Sequence, residues 1–386
     1  MIGICRLDNP VRSYDWGSRT ALAELLGRPA PASEPEAELW MGAHPSAPSR
    51  AWIDGRWTPL GELVAAHPVE ILGARGLERH GAELPYLFKV LAVERPLSVQ
   101  AHPDREQAIA GHRRESAAGV PPEERNYPDA KPKPEIVYAL TPFSMLRGFR
   151  PAAEIRELVE RFGLSTLLPA DAGIEPFFAA WMALAPPRLD EVLAALLERA
   201  REIGGEVADW IERLAATYPG DPGILAPVAL NLHRLEPGEA VYTGARVLHA
   251  YLEGLGLELM TSSDNVVRGA LTSKHRDAAE LTRILSFRPD PPRALVPTVE
   301  PGVHRFAASE AGLELSVLEL SERPIAGGGD RGVEIMLSVD GEGVLTPQGE
   351  APIELTPGSS LLIPAAVEGY EVTGKGRLFR AGTTRS

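Results

Sequence analysis

The amino-acid sequence predicts a mainly β protein with a helical insertion, organised as two jelly-roll β-barrel domains plus an α-helical domain. Three observations support this prediction. Short apolar runs punctuated by Gly and Pro fill the first 148 residues and return after about residue 231. A helical periodicity occupies the stretch between them. A strand–turn–strand unit also occurs twice in the C-terminal part, as is typical of barrel and jelly-roll proteins.

The first part of the chain contains four clear strand candidates, "RAWIDGRWTPL", "LPYLFKVLAV", "LSVQAH" and "PEIVYAL". Each is short, apolar and bounded by turn residues, which indicates a strand. The segment 111–135 between the last two candidates is polar and rich in proline. It predicts the end of a short helix followed by a long loop, and long loops in compact domains are often functional.

The middle of the chain, from about residue 151 to 230, shows helical spacing. Ile155, Leu158, Val159 and Phe162 recur on one helical face. The same spacing is found at Val192, Leu193, Leu196 and Leu197, and again at Val207, Trp210, Ile211 and Leu214. Proline pairs near residues 186 and 219 divide this region into separate helices.

The C-terminal part contains an internal repeat. "LEPGEAVYTGARVLHAY" from Leu235 aligns without gaps with "LTPGSSLLIPAAVEGYE" from Leu355. His249 of the first copy aligns with Gly369 of the second, so any chemistry that needs this histidine belongs to the first copy. We expect a discontinuous catalytic domain (1–148 and 231–288), a helical insertion (149–230) and a C-terminal domain without metal ligands (289–386).

Composition limits the classes of partner. The 386 residues include 53 acidic and 39 basic side chains, for a net charge of −14. This balance argues against nucleic acid or an anionic membrane as the main partner. Cys5 is the only cysteine, which excludes an internal disulfide and a thiolate zinc site. The N-terminus lacks the apolar core of a signal peptide, and no apolar run reaches the roughly 20 residues of a membrane span. We expect a soluble, cytoplasmic protein.

Three residue pairs share a spacing of two, which places both members of a pair on one face of a strand. Alternate residues from several strands line the interior of a barrel, so such pairs can converge. The candidate ligands are two oxygen donors, Gln100 and Glu135, and two nitrogen donors, His102 and His249; Lys133 and Tyr251 complete the pairs. A mixed N/O set suits Zn²⁺, Fe²⁺ or Mn²⁺. Spacing alone leaves an alternative, in which these are ordinary hydrogen-bonded strand residues.

A second cluster, "MTSSDNVVRGALTSKH", follows the strand candidate that carries Glu258. It contains Asp264, Asn265, Arg268 and Lys274 and predicts an active-site rim. A solvated turn before a helix N-terminus is the alternative.

Earlier in the chain, the motifs "YDWGS" and "ELWMGAHPS" contain Trp16, Trp40 and His44. Taken singly, the tryptophans favour core packing, and no second ligand pairs with the histidine.

These motifs together resemble the type I mannose-6-phosphate isomerases, a family of zinc-dependent cupin enzymes. The resemblance is carried by "PLSVQAHPD", "KPEIVYAL", "LEPGEAVYTGARVLHAYLEG" and "ELMTSSDNVVRGALTSKH", and extends through "YDWGS", "ELWMGAHPS" and "LPYLFKVL" in the same order. It covers most of the chain and is least distinctive in the helical stretch and the C-terminal domain. It implies a cupin scaffold and interconversion of mannose 6-phosphate and fructose 6-phosphate through an enediol(ate).

The resemblance also implies roles for individual residues. One zinc ion per chain would be held by Gln100, His102, Glu135 and His249. Arg268 matches the family's active-site arginine, with Lys133 and Asp264 as further catalytic candidates. The pocket positions are Trp16, Glu38, Lys89, Tyr251, Glu258 and Lys274. The implied partner is a small phosphorylated sugar, and the implied assembly is a monomer, with a dimer as the alternative.

One position departs from the family pattern. Pro132 stands where the family commonly has a histidine, so an acid–base role for that histidine does not carry over. Lys133, Glu258 and Asp264 remain as alternatives for the proton acceptor. Two other classes of protein are alternatives. An Fe²⁺ cupin dioxygenase usually shows a His-x-His motif, which is absent here. A non-catalytic sugar-phosphate binding protein would be expected to lose the ligands or Arg268.

Overall fold

The computed structural model describes residues 2–329 and 332–384, and most of its regular structure is β-sheet. The strands, in chain order, are β1 Cys5–Asp8, β2 Val11–Arg12, β3 Glu38–Met41, β4 Arg50–Ile53, β5 Arg56–Pro59, β6 Tyr86–Val93, β7 Val99–Ala101, β8 Glu135–Ala139, β9 Phe143–Phe149, β10 Leu230–Leu235, β11 Ala240–Thr243, β12 His249–Thr261, β13 Val267–Ala270, β14 Thr298–Glu300, β15 Val303–Ala308, β16 Leu313–Leu320, β17 Ile325–Gly327, β18 Glu334–Pro347, β19 Ile353–Leu355, β20 Ser360–Ile363 and β21 Tyr370–Thr383.

The helices cluster between β9 and β10, as the periodicity predicts. They are α1 Ala21–Leu25, α2 Leu60–Ala66, α3 Pro68–His80, α4 Arg105–Ala118, α5 Ala152–Arg161, α6 Ile174–Met182, α7 Arg188–Ile203, α8 Glu206–Thr217, α9 Ala226–Ala229 and α10 Ala278–Ile284, with short 3-10 turns at Pro122–Glu124 and Pro222–Leu225. None of the helices in the described part of the chain has the length and apolar character needed to cross a membrane.

The strands form two antiparallel sheets. The first follows the order β10-β9-β12-β6-β3-β2, with β7, β8, β11 and β13 attached around the long strand β12. The second follows β14-β15-β16-β21-β18-β20-β1-β4-β5, so the N-terminal strand β1 and the β4–β5 hairpin extend the C-terminal sheet. Among the described residues, neither hydrogen-bonded path closes into a barrel. The predicted fold class, mainly β with a helical insertion, is confirmed, and its jelly-roll sheets are open.

The internal repeat corresponds to two equivalent strand pairings. In the first copy β11 pairs with β8, and in the second β20 pairs with β18. The strands β12 and β21 then begin at nearly the same point of each repeat, at His249 and Tyr370. The two copies pack through one shared apolar core, in which the ring of Tyr138 contacts Phe306 and Phe379 edge-on.

The helices pack on the other side of the first sheet. The apolar face predicted for α5 is buried, with Ile155 and Val159 each 1% exposed. These side chains belong to one core with Trp181 of α6 and with Val99 and Val267 of strands β7 and β13. Because β7 and β13 have their other face toward the predicted site, this core holds the site strands against the helical layer.

Candidate active site

Gln100 lies in the middle of a row of side chains that crosses three neighbouring strands. Strand β7 pairs with both β12 and β13, and Gln100 is directly opposite His249 on one side and Arg268 on the other. Directly opposed residues of antiparallel strands point to the same face of the sheet. Strand pairing therefore brings residues from three separate sequence motifs onto one surface.

His102, Glu135 and His249 form a compact buried cluster. Their ligand atoms all lie within 4.8 Å of one another. The Nε2 atom of His102 is 3.1 Å from Oε1 of Glu135, and Nε2 of His249 is 3.5 Å from Oε2. In the described part of the chain this is the one group of three or more His, Cys, Asp or Glu side chains that is spaced for a metal ion.

The hydrogen bonds of the two imidazoles establish which nitrogen of each is free. Nδ1 of His102 donates to the carbonyl oxygen of Asn265 at 2.8 Å, and Nδ1 of His249 donates to that of Val247 at 3.0 Å. Neither buried Nε2 atom makes a hydrogen bond of acceptable geometry to a described residue. Burial lowers the pKa of His102 and brings the pKa of His249 to about 4, so both rings are neutral near pH 7.

This arrangement fits a divalent metal ion. Two buried nitrogen lone pairs are directed at a buried carboxylate, and each ring is oriented by a backbone carbonyl, as is usual for metal-binding histidines. Buried polar atoms are rarely left without partners, since each costs about 1–3 kcal/mol. His102, Glu135 and His249 therefore supply three donors of the mixed N/O set that the sequence predicts.

Glu135 is fully buried and receives two hydrogen bonds from predicted site residues. Nζ of Lys133 donates to Oε1 at 2.7 Å, and the hydroxyl of Tyr251 donates to Oε2 at 3.0 Å. Burial alone would raise the pKa of Glu135, but the charge of Lys133 acts against burial, and the pKa is held well below its usual range. The carboxylate is therefore ionised, as a metal ligand must be.

Gln100, the fourth predicted ligand, lies on the wall of the adjacent cavity. Its Oε1 atom accepts a hydrogen bond from the hydroxyl of Ser98 at 2.8 Å. An amide oxygen has two lone pairs, so one remains available for another partner. Its place in the row with His249 is consistent with the predicted ligand set, and its role as a ligand stays a prediction.

A cavity of about 750 Å³ opens beside the cluster. Apart from His102 and His249, which are fully buried, all the predicted site residues line it: Trp16, Glu38, Lys89, Gln100, Lys133, Glu135, Tyr251, Glu258, Asp264, Arg268 and Lys274. The structure thus brings the predicted metal, catalytic and pocket residues into one place.

Lys89 is buried between two carboxylates on the cavity wall. Its Nζ atom is 3.4 Å from Oε2 of Glu38 and 3.2 Å from Oε2 of Glu258. The contact between Lys89 and Glu258 follows from the strand register, because Lys89 on β6 is directly opposite Glu258 on β12. Burial disfavours the charged ammonium, but Glu38 and Glu258 outweigh burial and raise the pKa of Lys89. Lys89 is therefore positively charged throughout the physiological range.

Two further cations face the cavity without a salt bridge. No described acidic side chain lies within ion-pair distance of Arg268 or Lys274, and Nζ of Lys274 is 5.0 Å from the centre of the Tyr14 ring. Burial lowers the pKa of Arg268. Burial and the nearby Arg268 guanidinium lower the pKa of Lys274. Two unpaired cations in a partly buried cavity favour the binding of an anion.

Trp40 and His44 contribute to the site in ways that the sequence interpretation missed. Trp40 is buried in an apolar cluster, as the packing interpretation predicts, and it also lines the cavity, where its Nε1 atom donates to Glu38. The sequence indicates no partner for His44, but its Nε2 atom lies 2.9 Å from Oδ2 of Asp264. Both residues belong to the motif "ELWMGAHPS", which also contains Glu38; that proximity in sequence was the available signal.

The helical insertion supplies part of the cavity wall, which the periodicity could not indicate. Asp221 lies in the segment that leaves α8, and its Oδ1 atom accepts a hydrogen bond from the backbone N–H of Leu271 at 2.9 Å. Leu271 has a φ of 54°, a left-handed conformation that is unfavourable for a non-glycine residue. Arg276 contacts the second carboxylate oxygen at 3.1 Å. Asp221 therefore holds the loop that carries Lys274.

Pro132, the departure from the family pattern, has a backbone role. Its carbonyl oxygen accepts a hydrogen bond from the hydroxyl of Thr261 at 2.7 Å. Proline offers no side-chain group for proton transfer. The Lys133–Glu135 pair that follows it is nevertheless in place, since β8 begins directly at Glu135.

The second copy of the repeat has a buried ion pair at the corresponding position. Glu334 begins β18 as Glu135 begins β8, and it is 3.4 Å from Nε of Arg380. The hydroxyl of Tyr370 donates to Glu334 at 2.8 Å, as that of Tyr251 does to Glu135. In the second copy the Arg380 guanidinium thus neutralises Glu334, whereas in the first copy the equivalent Glu135 faces two histidines. This difference agrees with the expectation that the metal site belongs to the first copy.

Comparison with protein-family models gives two matches. Residues 4–152 match the catalytic domain of phosphomannose isomerase type I. Residues 321–382 match the cupin domain of mannose-6-phosphate isomerase.

Relatives align over nearly the whole chain. Mannose-6-phosphate isomerase from Escherichia coli is 37% identical over 396 aligned positions, covering 97% of this chain and 98% of that protein. The Salmonella typhimurium enzyme is 36% identical with the same coverage. The human enzyme is 32% identical over 92% of each chain.

Solved structures agree with these alignments. A mannose 6-phosphate isomerase bound with zinc and yttrium superimposes with a TM-score of 0.93, 35% identity and complete coverage of both chains. A variant of phosphomannose isomerase from Salmonella typhimurium superimposes with a TM-score of 0.94 and 34% identity, again over both complete chains. Identity above 30% over almost the full length, together with the shared fold, leads to one conclusion: the chain belongs to the type I phosphomannose isomerase family.

Proposed function

We propose that this protein is a zinc-dependent isomerase that interconverts mannose 6-phosphate and fructose 6-phosphate. The observation that carries the proposal is the buried cluster of His102, Glu135 and His249, with two free imidazole nitrogens, at a cavity that contains unpaired cations. Relatives that carry this activity in their names align with 97% of the chain. The activity, the metal and the cavity chemistry are mutually consistent.

The metal ligands in this proposal are His102, Glu135 and His249, with Gln100 as the fourth. A bound zinc ion supplies Lewis-acid chemistry at an oxygen of the sugar. Lys133 and Tyr251 hold the Glu135 carboxylate in position through their hydrogen bonds. One carboxylate among the four ligands leaves the centre with a net positive charge, which favours a substrate that becomes an anion during the reaction.

Arg268 and Lys274 are the groups that would attract and hold the negative charges of the substrate. Both lack a carboxylate partner among the described residues, so neither needs to break a salt bridge to bind a phosphate group. Arg268 lies in the same row as Gln100 and His249. Since a guanidinium stays protonated, Arg268 suits stabilisation of an enediolate oxygen or a phosphate oxygen rather than proton abstraction.

Three groups on the cavity wall can carry the proton that moves between C1 and C2 of the sugar. Lys133 is bonded to Glu135, Glu258 is paired with Lys89, and Asp264 is bonded to His44. We assign the proton acceptor to this set. Incorporation of solvent deuterium at C2, measured for a variant of each residue, distinguishes the acceptor from groups that only bind the sugar.

The central experiment is a coupled assay with mannose 6-phosphate, before and after removal of metal with a chelator. We expect activity with about one zinc per chain, loss of activity in the chelated protein and recovery on adding zinc. His102→Ala should lose both zinc and activity. His112→Ala is a matched control, because Nδ1 of His112 also donates to a backbone carbonyl, that of Tyr127, but outside the cavity. Full activity of metal-free protein would contradict the proposal.

We further propose the division into domains that the sequence predicts, with residues 1–148 and 231–288 as the catalytic unit, 149–230 as the insertion and 289–386 as the C-terminal unit. The run of helices α5–α9 between strands β9 and β10 supports this division. The net charge of −14 supports a role without nucleic acid or membrane partners. We propose a cytoplasmic monomer; light scattering coupled to size-exclusion chromatography measures its mass directly.

A further inference from the structure

His44 is a buried side chain beside the cavity that the proposed reaction does not use. Its side chain is 8% exposed and packs edge-on against Trp40, with ring centres 4.8 Å apart. Its two nitrogens contact different groups. Nδ1 lies 2.9 Å from the hydroxyl of Ser46, and Nε2 lies 2.9 Å from Oδ2 of Asp264. The imidazole therefore connects the motif "ELWMGAHPS" to the segment that precedes β13, the strand that carries Arg268.

The neighbours of His44 define its tautomer. The backbone N–H of Ser46 donates to Nδ1 at 3.3 Å, so Nδ1 is an acceptor without a proton. The ring proton then lies on Nε2, which donates to the carboxylate of Asp264. In this tautomer the ring directs one N–H at one oxygen of the Asp264 carboxylate, and the contacts with Ser46 and Trp40 fix the direction of the ring.

Asp264 lies on the cavity wall, where the direction of its carboxylate affects the proposed reaction. Its backbone N–H is held by Oδ2 of Asp129 at 2.9 Å, but its side chain is 52% exposed to the cavity. Burial tends to raise the pKa of Asp264, and the hydrogen bond from His44 together with Lys133 and Lys89 lowers it overall, so the carboxylate is ionised. Arg268 also interacts electrostatically with Asp264.

Without a fixed donor, the Asp264 carboxylate would be free to turn toward Lys133, Lys89 and Arg268. Among the described residues, His44 provides the one hydrogen bond to an Asp264 side-chain oxygen.

We infer that His44 is a positioning residue for the isomerisation: its Nε2–H holds the Asp264 carboxylate facing the sugar and away from the cations of the cavity. This inference rests on the proposed function and deepens it. It predicts that the effect of His44 on turnover passes through Asp264. It also predicts that a side chain able to donate from the Nε2 position can replace the imidazole.

Two amide variants test the inference as a matched pair. The amide nitrogen of a glutamine reaches approximately the Nε2 position, whereas that of an asparagine reaches only the Nδ1 position. We expect His44→Asn to lower kcat about tenfold or more with little change in KM and with full zinc content. His44→Gln should recover kcat to within about threefold of wild type. Equal kcat values for the two variants would overturn the inference.

A double-mutant cycle provides the second test. In the Asp264→Ala background, His44→Asn should cause no further loss of kcat, because the group that it positions is absent. A further loss of about tenfold would show that His44 acts independently of Asp264, and would overturn the inference. His44→Phe, which retains the ring shape without a donor, replaces His44→Asn if the asparagine variant has a lowered unfolding temperature.

The wild-type assay separates this inference from the proposed function. If zinc-loaded wild-type protein does not isomerise mannose 6-phosphate, the proposed function fails and the positioning role fails with it. If the wild type is active but the glutamine and asparagine variants behave alike, only the positioning role fails.

Discussion

The buried charge of Lys89 allows a quantitative prediction for both stability and activity. Its Nζ atom lies 3.2 Å from Glu258 and 3.4 Å from Glu38. With an effective dielectric constant of about 20, each contact corresponds to roughly 5 kcal/mol of Coulomb attraction, most of which offsets the cost of burying the charges. Lys89→Met removes the cation but retains the length of the side chain, and leaves the buried carboxylates of Glu38 and Glu258 without the cation that neutralises them.

We expect Lys89→Met to lower the free energy of unfolding by about 3–5 kcal/mol, the usual cost of breaking a buried ion pair. The assay is urea unfolding followed by tryptophan fluorescence, with zinc content measured in parallel. Lys131→Met is the matched control, because Lys131 forms an exposed ion pair with Glu83, and exposed pairs contribute about 0–1 kcal/mol. The double variant Lys89→Met/Glu258→Gln should regain part of the loss.

The pH dependence of the Lys89 contribution has a definite sign. The folded-state pKa of Lys89 is raised above its value in the unfolded chain. Its stabilising contribution is therefore fully present below the unfolded pKa of about 10.5 and is lost only as the pH rises above that value. A Lys89→Met variant as stable as the Lys131→Met control at neutral pH would refute the reasoning.

The remaining predictions concern turnover and substrate affinity. Arg268→Ala should lower kcat by about 10²-fold or more at unchanged zinc content, and an unchanged kcat would reject its role in stabilising charge. Lys133→Met should abolish solvent deuterium incorporation at C2 if Lys133 is the proton acceptor; retained incorporation, measured by NMR, would remove it from the candidates. Asp221→Ala should free the Leu271 backbone from its strained conformation, so that the loop loses its support for Lys274. We expect KM for mannose 6-phosphate to rise about tenfold with zinc content unchanged. An unaltered KM would contradict this reasoning.

Much of the site was predictable because its signals are local. The two-residue spacing of the three pairs predicts a shared face by strand alternation, which sequence displays directly. In the structure His249 and Tyr251 both lie in β12, whereas His102 directly follows β7 and Lys133 lies two residues before β8. The structure confirms the consequence for two pairs through direct contacts, since Lys133 and Tyr251 both bond to Glu135. Spacing alone left ordinary strand packing as an alternative to a metal site. The specific motifs then identified the family.

Two of the contacts that the sequence interpretation missed join distant segments. His44 and Asp264 are separated by 220 positions, and Asp221 meets Leu271 only because the insertion folds back over the cavity. The packing of Trp40 is confirmed, but its place on the cavity wall was not predictable, because a buried tryptophan and a cavity-lining tryptophan have the same local pattern. Neither periodicity nor spacing carries information about which loops meet at a cavity.

The sequence by itself determined the mainly β class, the helical insertion, the repeat and the residue types of the candidate metal site. These properties depend on periodicity and motif composition, which are encoded within short windows of the chain. Only the tertiary structure decided that His102, Glu135 and His249 converge with two free nitrogens, that Lys89 lies between two carboxylates, and that His44 holds Asp264. Those features depend on strand register and on the packing of separate segments, where a shift of one residue would turn a side chain to the opposite face of the sheet.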